Sequence, residues 1–150
     1  KRYPVSEYGT PRKAYVALTG DAVFIWTARR AAGAAAAGGS PVWRYFFTHA
    51  LDNGGGVQHA LGAFHGLELA FVFDHLEVAG YVPTAGGWEL TAVIVASWAG
   101  LAAAGDPAVP GAPWPPYDPV RDTFQQLEDP PATGEGIRTA QCDFWDTFSF

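Results

Sequence analysis

Residues 42–48, Val-Trp-Arg-Tyr-Phe-Phe-Thr, constrain the fold of this chain more than any other segment. The run is rich in β-branched and aromatic residues, which favour strands. Pro41 precedes it and a Gly-rich loop over residues 52–59 follows it. Its apolar residues do not alternate with polar ones, which is typical of a strand covered on both faces. The sequence therefore predicts a buried strand between layers of helices.

Helical patterns surround this strand. Pro11 suits the first turn of one helix, Asp21 is the predicted N-cap of a second, and Gly38-Gly39 would end it. The predicted elements are a loop over residues 3–10, helices over 11–18, 22–37, 67–76, 88–103 and 137–148, the strand at 42–48 and an edge strand at 123–127. This order predicts part of an α/β layer structure.

Charge and hydropathy exclude two classes of partner. The net charge is −6, and no basic cluster is longer than Arg29-Arg30, so we expect no nucleic-acid partner. The longest apolar runs, such as residues 91–104, are shorter than the roughly 20 residues that cross a bilayer. We therefore predict no membrane span and no signal peptide, and the compartment, cytoplasmic or extracellular, stays open.

The four histidines of the chain invite a metal site, but they lack the close pairing on one helix face that zinc sites use. We therefore expect no metal. His65 differs from the others because Gly62 and Gly66 lie on either side of it in a loop that precedes a predicted helix. From the residues alone two interpretations stay open, an ordinary loop histidine and a general base.

Several short motifs stand in the order found in one family. The segment over residues 62–73 contains His-Gly-Leu-Glu and ends in Phe-Val-Phe. The other motifs are Gly20-Asp21-Ala22-Val23-Phe24, the strand run ending at His49, Gly105-Asp106-Pro107, Trp114-Pro115-Pro116-Tyr117 and Cys142-Asp143-Phe144-Trp145. Over residues 3–148 the chain resembles type-B carboxylesterases and cholinesterases. The resemblance implies the C-terminal part of a single α/β-hydrolase domain over residues 1–150, with an incomplete sheet and packed helices.

The resemblance also implies roles for individual residues. His65 corresponds to the general base that takes a proton from a serine during hydrolysis of a carboxylic ester. Glu68 and Gly66 would support the histidine loop, and Asp21 would have a structural role. The family needs no cofactor. Relatives with disulfides pair the cysteine of the Cys-x-Phe-Trp motif with a residue where this chain has Trp26, so Cys142 is expected to be a buried thiol.

The nucleophile and the acid of the triad are not expected in this chain. No Gly-x-Ser-x-Gly motif occurs, and in α/β-hydrolases the serine and the acid precede the histidine. We therefore expect the chain alone to be inactive, with the remainder of the hydrolase domain as its partner and a small ester as substrate. Two alternatives stay open: a non-catalytic binding or adhesion module, and an inactive gene fragment.

Overall fold

A computed structural model describes residues 2–51, 57–77 and 81–148, so residues 52–56 of the predicted Gly-rich loop and Ser149 lie outside the described residues. The chain divides into two compact units. The first unit comprises Lys1–Val42, Tyr117–Asp122 and Glu135–Phe150, and the second comprises Trp43–Pro116 and Thr123–Gly134.

A long helical segment dominates the first unit. After the short helix α1 (Val5–Tyr8), helix α2 (Pro11–Gly20) continues through a π-helical turn (Asp21–Ile25) into α3 (Trp26–Ala37). Thr10 caps α2 by accepting a hydrogen bond from the Lys13 backbone N–H at 3.2 Å. The predicted start at Pro11 and the end at Gly38-Gly39 are confirmed, whereas the predicted loop over residues 3–10 contains α1.

The prediction that Asp21 caps a new helix was wrong. Asp21 is helical at φ −65° and ψ −47°, and its backbone N–H already donates to the carbonyl oxygens of Ala17 and Leu18. An N-cap needs an extended backbone and free N–H groups in the following turn. Neither condition holds here, so the Asp21 carboxylate is available for another partner.

Helix α7 (Thr139–Asp146) also belongs to the first unit and is shorter than the predicted helix over residues 137–148. Arg29 donates to Asp143 at 2.8 Å and to Asp146, and the Trp26 indole N–H donates to Asp146 at 2.7 Å. Cys142 is fully buried in this helix, so the prediction of a buried thiol is confirmed.

The second unit contains the sheet. Strand β1 (Tyr45–Phe47) pairs in parallel with β2 (Thr123–Leu127), and β2 lies between β1 and β3 (Ala132–Glu135). The register sets Tyr45 beside Gln125 and Phe47 beside Leu127. Both predicted strands exist, but β1 is shorter than residues 42–48. The prediction that residues 123–127 form an edge strand was wrong, because β2 is a central and largely buried strand.

Helices α4 (Val57–Leu61), α5 (Glu68–Val72) and α6 (Ala85–Ala104) complete the second unit. Its buried apolar core is formed by residues from the strands, from α5 and α6 and from the loops between them: Leu51, Leu67, Phe71, Leu76, Tyr81, Leu90, Ile94, Trp114 and Leu127. Helix α5 ends earlier than the predicted residue 76, because Asp74 adopts a left-handed conformation at φ 54°. The predicted α/β class is confirmed.

Helix α6 differs from the prediction for residues 88–103 because Thr84 caps it earlier, accepting from the Gly87 N–H at 3.1 Å. By length and composition alone it could cross a membrane, with a mean hydropathy of 1.3, and 28% of its most apolar window is buried. The apolar run is thus longer than the sequence analysis assumed. The core helix of a soluble protein passes the same test, so the helix is not assigned as a span.

Candidate functional site

The carboxyl ends of the parallel pair bring polar side chains together in the second unit. Thr48 and His49 follow β1 directly, and Glu128 follows β2. In open α/β sheets, ligand sites form at the carboxyl ends of the strands. The Thr48 N–H donates to the Leu127 carbonyl at 3.1 Å, so the pairing of the two strands extends to this edge.

The Glu128 carboxylate binds both residues that follow β1. His49 Nδ1 lies 2.8 Å from Glu128 Oε1, and the Thr48 hydroxyl donates to Glu128 Oε2 at 3.0 Å. The Gln126 side-chain amide in turn donates to the Thr48 hydroxyl oxygen at 2.9 Å. His49 is 3% exposed, and its Nε2 is buried with no hydrogen bond in the part of the chain that the structure describes.

His65 lies further along the same unit, in an exposed turn between α4 and α5. Gly62 and Gly66 flank it at φ 64° and φ 88°, left-handed conformations that glycine adopts at the least cost. The Leu67 N–H donates to the Phe64 carbonyl at 3.1 Å, which closes the turn around His65. Leu67 is buried in the core. The backbone therefore turns sharply at His65 and is anchored immediately after it.

Glu68 begins α5 and is half-buried. Burial raises the pKa of the Tyr45 phenol, and the charge of Glu68 raises it further. Helix α5 has five residues, so its dipole has little effect beside His65. The described geometry thus gives Gly66 a conformational reason for its identity and places Glu68 in the first turn after the histidine loop.

The other histidines have structural partners. His59 Nδ1 lies 2.9 Å from the Leu51 carbonyl oxygen, and His75 Nδ1 contacts the Phe73 carbonyl oxygen. Among residues 2–51, 57–77 and 81–148, no group of three or more histidine, cysteine, aspartate or glutamate side chains could hold a metal ion.

Asp21 belongs to the first unit, whereas His65, Gly66 and Glu68 belong to the second. Asp21 is 1% exposed, and its carboxylate accepts from both Nε and Nη2 of Arg138, the latter at 2.6 Å. Arg138 also donates to the Tyr8 hydroxyl at 2.9 Å. The hydrogen bond to Asp21 raises the pKa of Arg138 above its usual range. This network gives Asp21 a structural role within its own unit.

Three serines can be placed in the structure. Ser6 lies in α1, Ser40 follows α3, and Ser97 lies in the middle of α6. The Ser97 hydroxyl is buried and has no hydrogen-bond partner within the described ranges, so no base contacts it there. None of the three stands at a sharp turn from a strand into a helix, which is where α/β-hydrolases hold their nucleophile.

Glu128 was missed by the sequence analysis. The signal was available, because Glu128 follows one predicted strand and His49 follows the other. Two such residues meet only when the strands are parallel neighbours in the right register. Treating residues 123–127 as a separate edge strand concealed the pair.

Comparison with known proteins identifies the family. The carboxylesterase family model matches residues 2–145. Acetylcholinesterase from Gallus gallus is 36% identical over 91 residues, which are 59% of this chain and 12% of that protein. Acetylcholinesterase from Leptinotarsa decemlineata is 29% identical over 134 residues, which are 87% of this chain and 21% of that protein. The chain thus spans about an eighth to a fifth of these relatives.

A solved structure agrees with the sequence comparisons. The Geobacillus stearothermophilus carboxylesterase superposes with a TM-score of 0.74 at 25% identity, covering 89% of this chain and 28% of that one. The predicted resemblance and the α/β-hydrolase fold class are therefore confirmed. The order of motifs around His65, the parallel strand pair and both comparisons lead to one conclusion: this chain belongs to the carboxylesterase family.

Proposed function

We propose that this chain supplies the general-base histidine of a serine carboxylesterase and that His65 is that residue. The observation that carries the proposal is the sharp turn at His65, formed by two left-handed glycines in the segment between β1 and β2 and anchored by buried Leu67. A base on such a turn is held firmly while its ring stays accessible. Membership of the carboxylesterase family supports ester hydrolysis as the reaction of the complete domain.

In this proposal the remainder of the hydrolase domain provides the serine, the acid and the oxyanion hole. The imidazole of His65 accepts the serine proton as the serine oxygen attacks the ester carbonyl. It returns that proton to the leaving alcohol as the acyl-serine forms. His65 then takes a proton from the attacking water and returns it to the serine when the carboxylic acid leaves. The His65 imidazole therefore carries the proton in both half-reactions, and the reaction needs no cofactor.

Gly66 and Glu68 support the histidine loop in this proposal. The left-handed conformation of Gly66 lets the chain reverse immediately after the base. Glu68 lies half-buried in the first turn of α5, three residues after the base. Asp21 stabilises the first unit through its hydrogen bonds to Arg138.

Kinetics on a complete carboxylesterase domain test the proposal. Residues 2–145 would replace the matching segment of the G. stearothermophilus carboxylesterase, and turnover of an activated aryl ester would be measured. His65→Ala should lower kcat by at least about a thousandfold, because the serine loses its base. His59→Ala and His75→Ala should stay within about tenfold. A His65→Ala enzyme that keeps more than about a tenth of the turnover contradicts the proposal.

The 150-residue chain by itself provides a second measurement. We expect no labelling of its serines by a serine-directed phosphonate, because Ser97 is buried and no serine stands in a Gly-x-Ser-x-Gly motif. Stoichiometric labelling would show an activated nucleophile and overturn this part of the proposal. A complete domain that binds esters without turnover would instead favour a non-catalytic binding module.

A further inference from the structure

We propose that His49 and Glu128 form a positioning pair for His65. The pair holds the carboxyl end of β1, which precedes the histidine loop (residues 62–67), and helix α5, which follows that loop. The inference rests on the proposed function, because it requires His65 to be the base. Neither residue of the pair is assigned a place in the chemistry itself. The pair joins the carboxyl end of β1, the carboxyl end of β2 and helix α5 within the second unit.

The carboxylate provides the polar half of the pair. Glu128 Oε1 accepts from His49 at 2.8 Å and from the Asp129 N–H at 3.2 Å, while Oε2 accepts from the Thr48 hydroxyl at 3.0 Å. One side chain directly after β2 thus fixes two consecutive residues beyond β1. The chain that leads to His65 starts from these two residues, so its point of departure is fixed.

The ring of His49 provides the apolar half. Its centroid lies 5.4 Å from that of Phe71 at an interplanar angle of 79°, and 6.4 Å from that of Phe47. Phe71 is fully buried in α5, the helix that begins three residues after His65. The ring therefore connects Glu128 to the helix on the far side of the histidine loop.

The burial of His49 favours positioning over direct catalysis. Its ring is almost inaccessible, and the only ring nitrogen with a partner among the described residues is Nδ1, which faces Glu128. A hydrogen bond to a carboxylate fixes the orientation and the tautomer of an imidazole. The fixed orientation of the His49 ring and the burial of Nε2 therefore suit a rigid positioning residue.

Four variants in the complete domain test the polar half of the pair. Glu128→Ala removes the carboxylate, and His49→Phe keeps a ring against Phe71 without the hydrogen bond. We expect each to lower kcat by about fivefold with KM within about twofold, because a displaced base costs rate and not binding. Glu128→Gln keeps an acceptor oxygen and should recover kcat to within about twofold of wild type. Glu135→Ala, at the exposed end of β3, is the matched control and should leave kcat unchanged.

Active-site titration with a phosphonate distinguishes positioning from loss of structure. We expect Glu128→Ala to retain one titratable serine per chain while the rate of phosphonylation falls about fivefold, in line with kcat. A kcat that does not change on Glu128→Ala overturns the inference. A loss of titratable sites that accounts for the whole loss of kcat also overturns it.

Hydrogen–deuterium exchange on the 150-residue chain gives a readout that needs no enzyme. Glu128→Ala should speed exchange at residues 66–73, and Glu135→Ala should not. Equal exchange in both variants contradicts the connection to α5. The two proposals fail separately: an active His65→Ala enzyme removes the proposed function, whereas an inactive one with normal Glu128→Ala kinetics removes only the positioning pair.

Discussion

The first unit is rich in ion pairs, and the second contains the buried apolar cluster. In the first unit Arg138 binds buried Asp21, Arg29 binds two aspartates of α7, and Arg121 binds Glu135. In the described part of the second unit nine buried apolar residues form one cluster around α5, α6 and β2. The unit rich in ion pairs contains no proposed catalytic residue, and the apolar unit contains His65.

Unsatisfied polar atoms follow the same division. Within residues 2–51, 57–77 and 81–148, four buried side-chain polar atoms have no hydrogen-bond partner, and all belong to the second unit: Trp43 Nε1, His49 Nε2, Ser97 Oγ and Gln125 Nε2. Such atoms cost about 1–3 kcal/mol each when no water reaches them. Among the described residues, the buried polar atoms without a partner therefore lie in the unit with the apolar cluster and not in the unit rich in ion pairs.

The largest expected effect tests the apolar core. Phe71→Ala should destabilise the 150-residue chain by about 3–5 kcal/mol, because a fully buried ring is replaced by a cavity. Phe73→Ala is the matched control, since Phe73 is 67% exposed and should change stability by less than about 0.5 kcal/mol. Urea unfolding followed by tryptophan fluorescence measures both. Equal losses of stability in the two variants would show that the second unit does not depend on its buried apolar cluster.

The next effect tests the ion-pair network of the first unit. Asp21→Asn should destabilise the chain by about 2–3 kcal/mol, less than for a fully buried pair because Arg138 keeps 29% of its side chain exposed. Arg121→Ala should cost less than about 0.5 kcal/mol, since that pair with Glu135 is exposed. Urea unfolding measures the loss of stability in both variants. A harmless Asp21→Asn would mean that this unit, too, depends chiefly on packing.

The smallest expected effect is a pH dependence at Tyr3. Burial raises the pKa of Tyr3 from 10.0 to about 12, with Asp21 adding to the rise. Folding therefore favours the neutral phenol. This contribution to stability is complete below pH 10 and is lost as the pH rises from 10 towards 12. Urea midpoints should fall more steeply above pH 10 in the wild type than in Tyr3→Phe, and parallel profiles would contradict the assignment.

Local signals predicted the element ends well where a single residue sets the backbone. Pro11 starts α2 and Gly38-Gly39 ends α3, while the bounds of β2 agree with the prediction at both ends. Asp21 shows the limit of such signals. Its sequence context suits an N-cap, but Arg138, distant in sequence, offers a charged partner and the helix continues through the aspartate.

The sequence by itself determined the family and the candidate base. The spacing of His65, Gly66 and Glu68 is a local pattern, and the order of the motifs around it can be read directly from the chain. It also determined that Gly62 and Gly66 flank that base, where left-handed backbone favours glycine. Only the tertiary structure decided which residues distant in sequence come into contact. Asp21 meets Arg138 across 117 residues, and His49 meets Glu128 across 79. The physical reason is that such contacts depend on strand direction, register and helix packing, which no local pattern specifies.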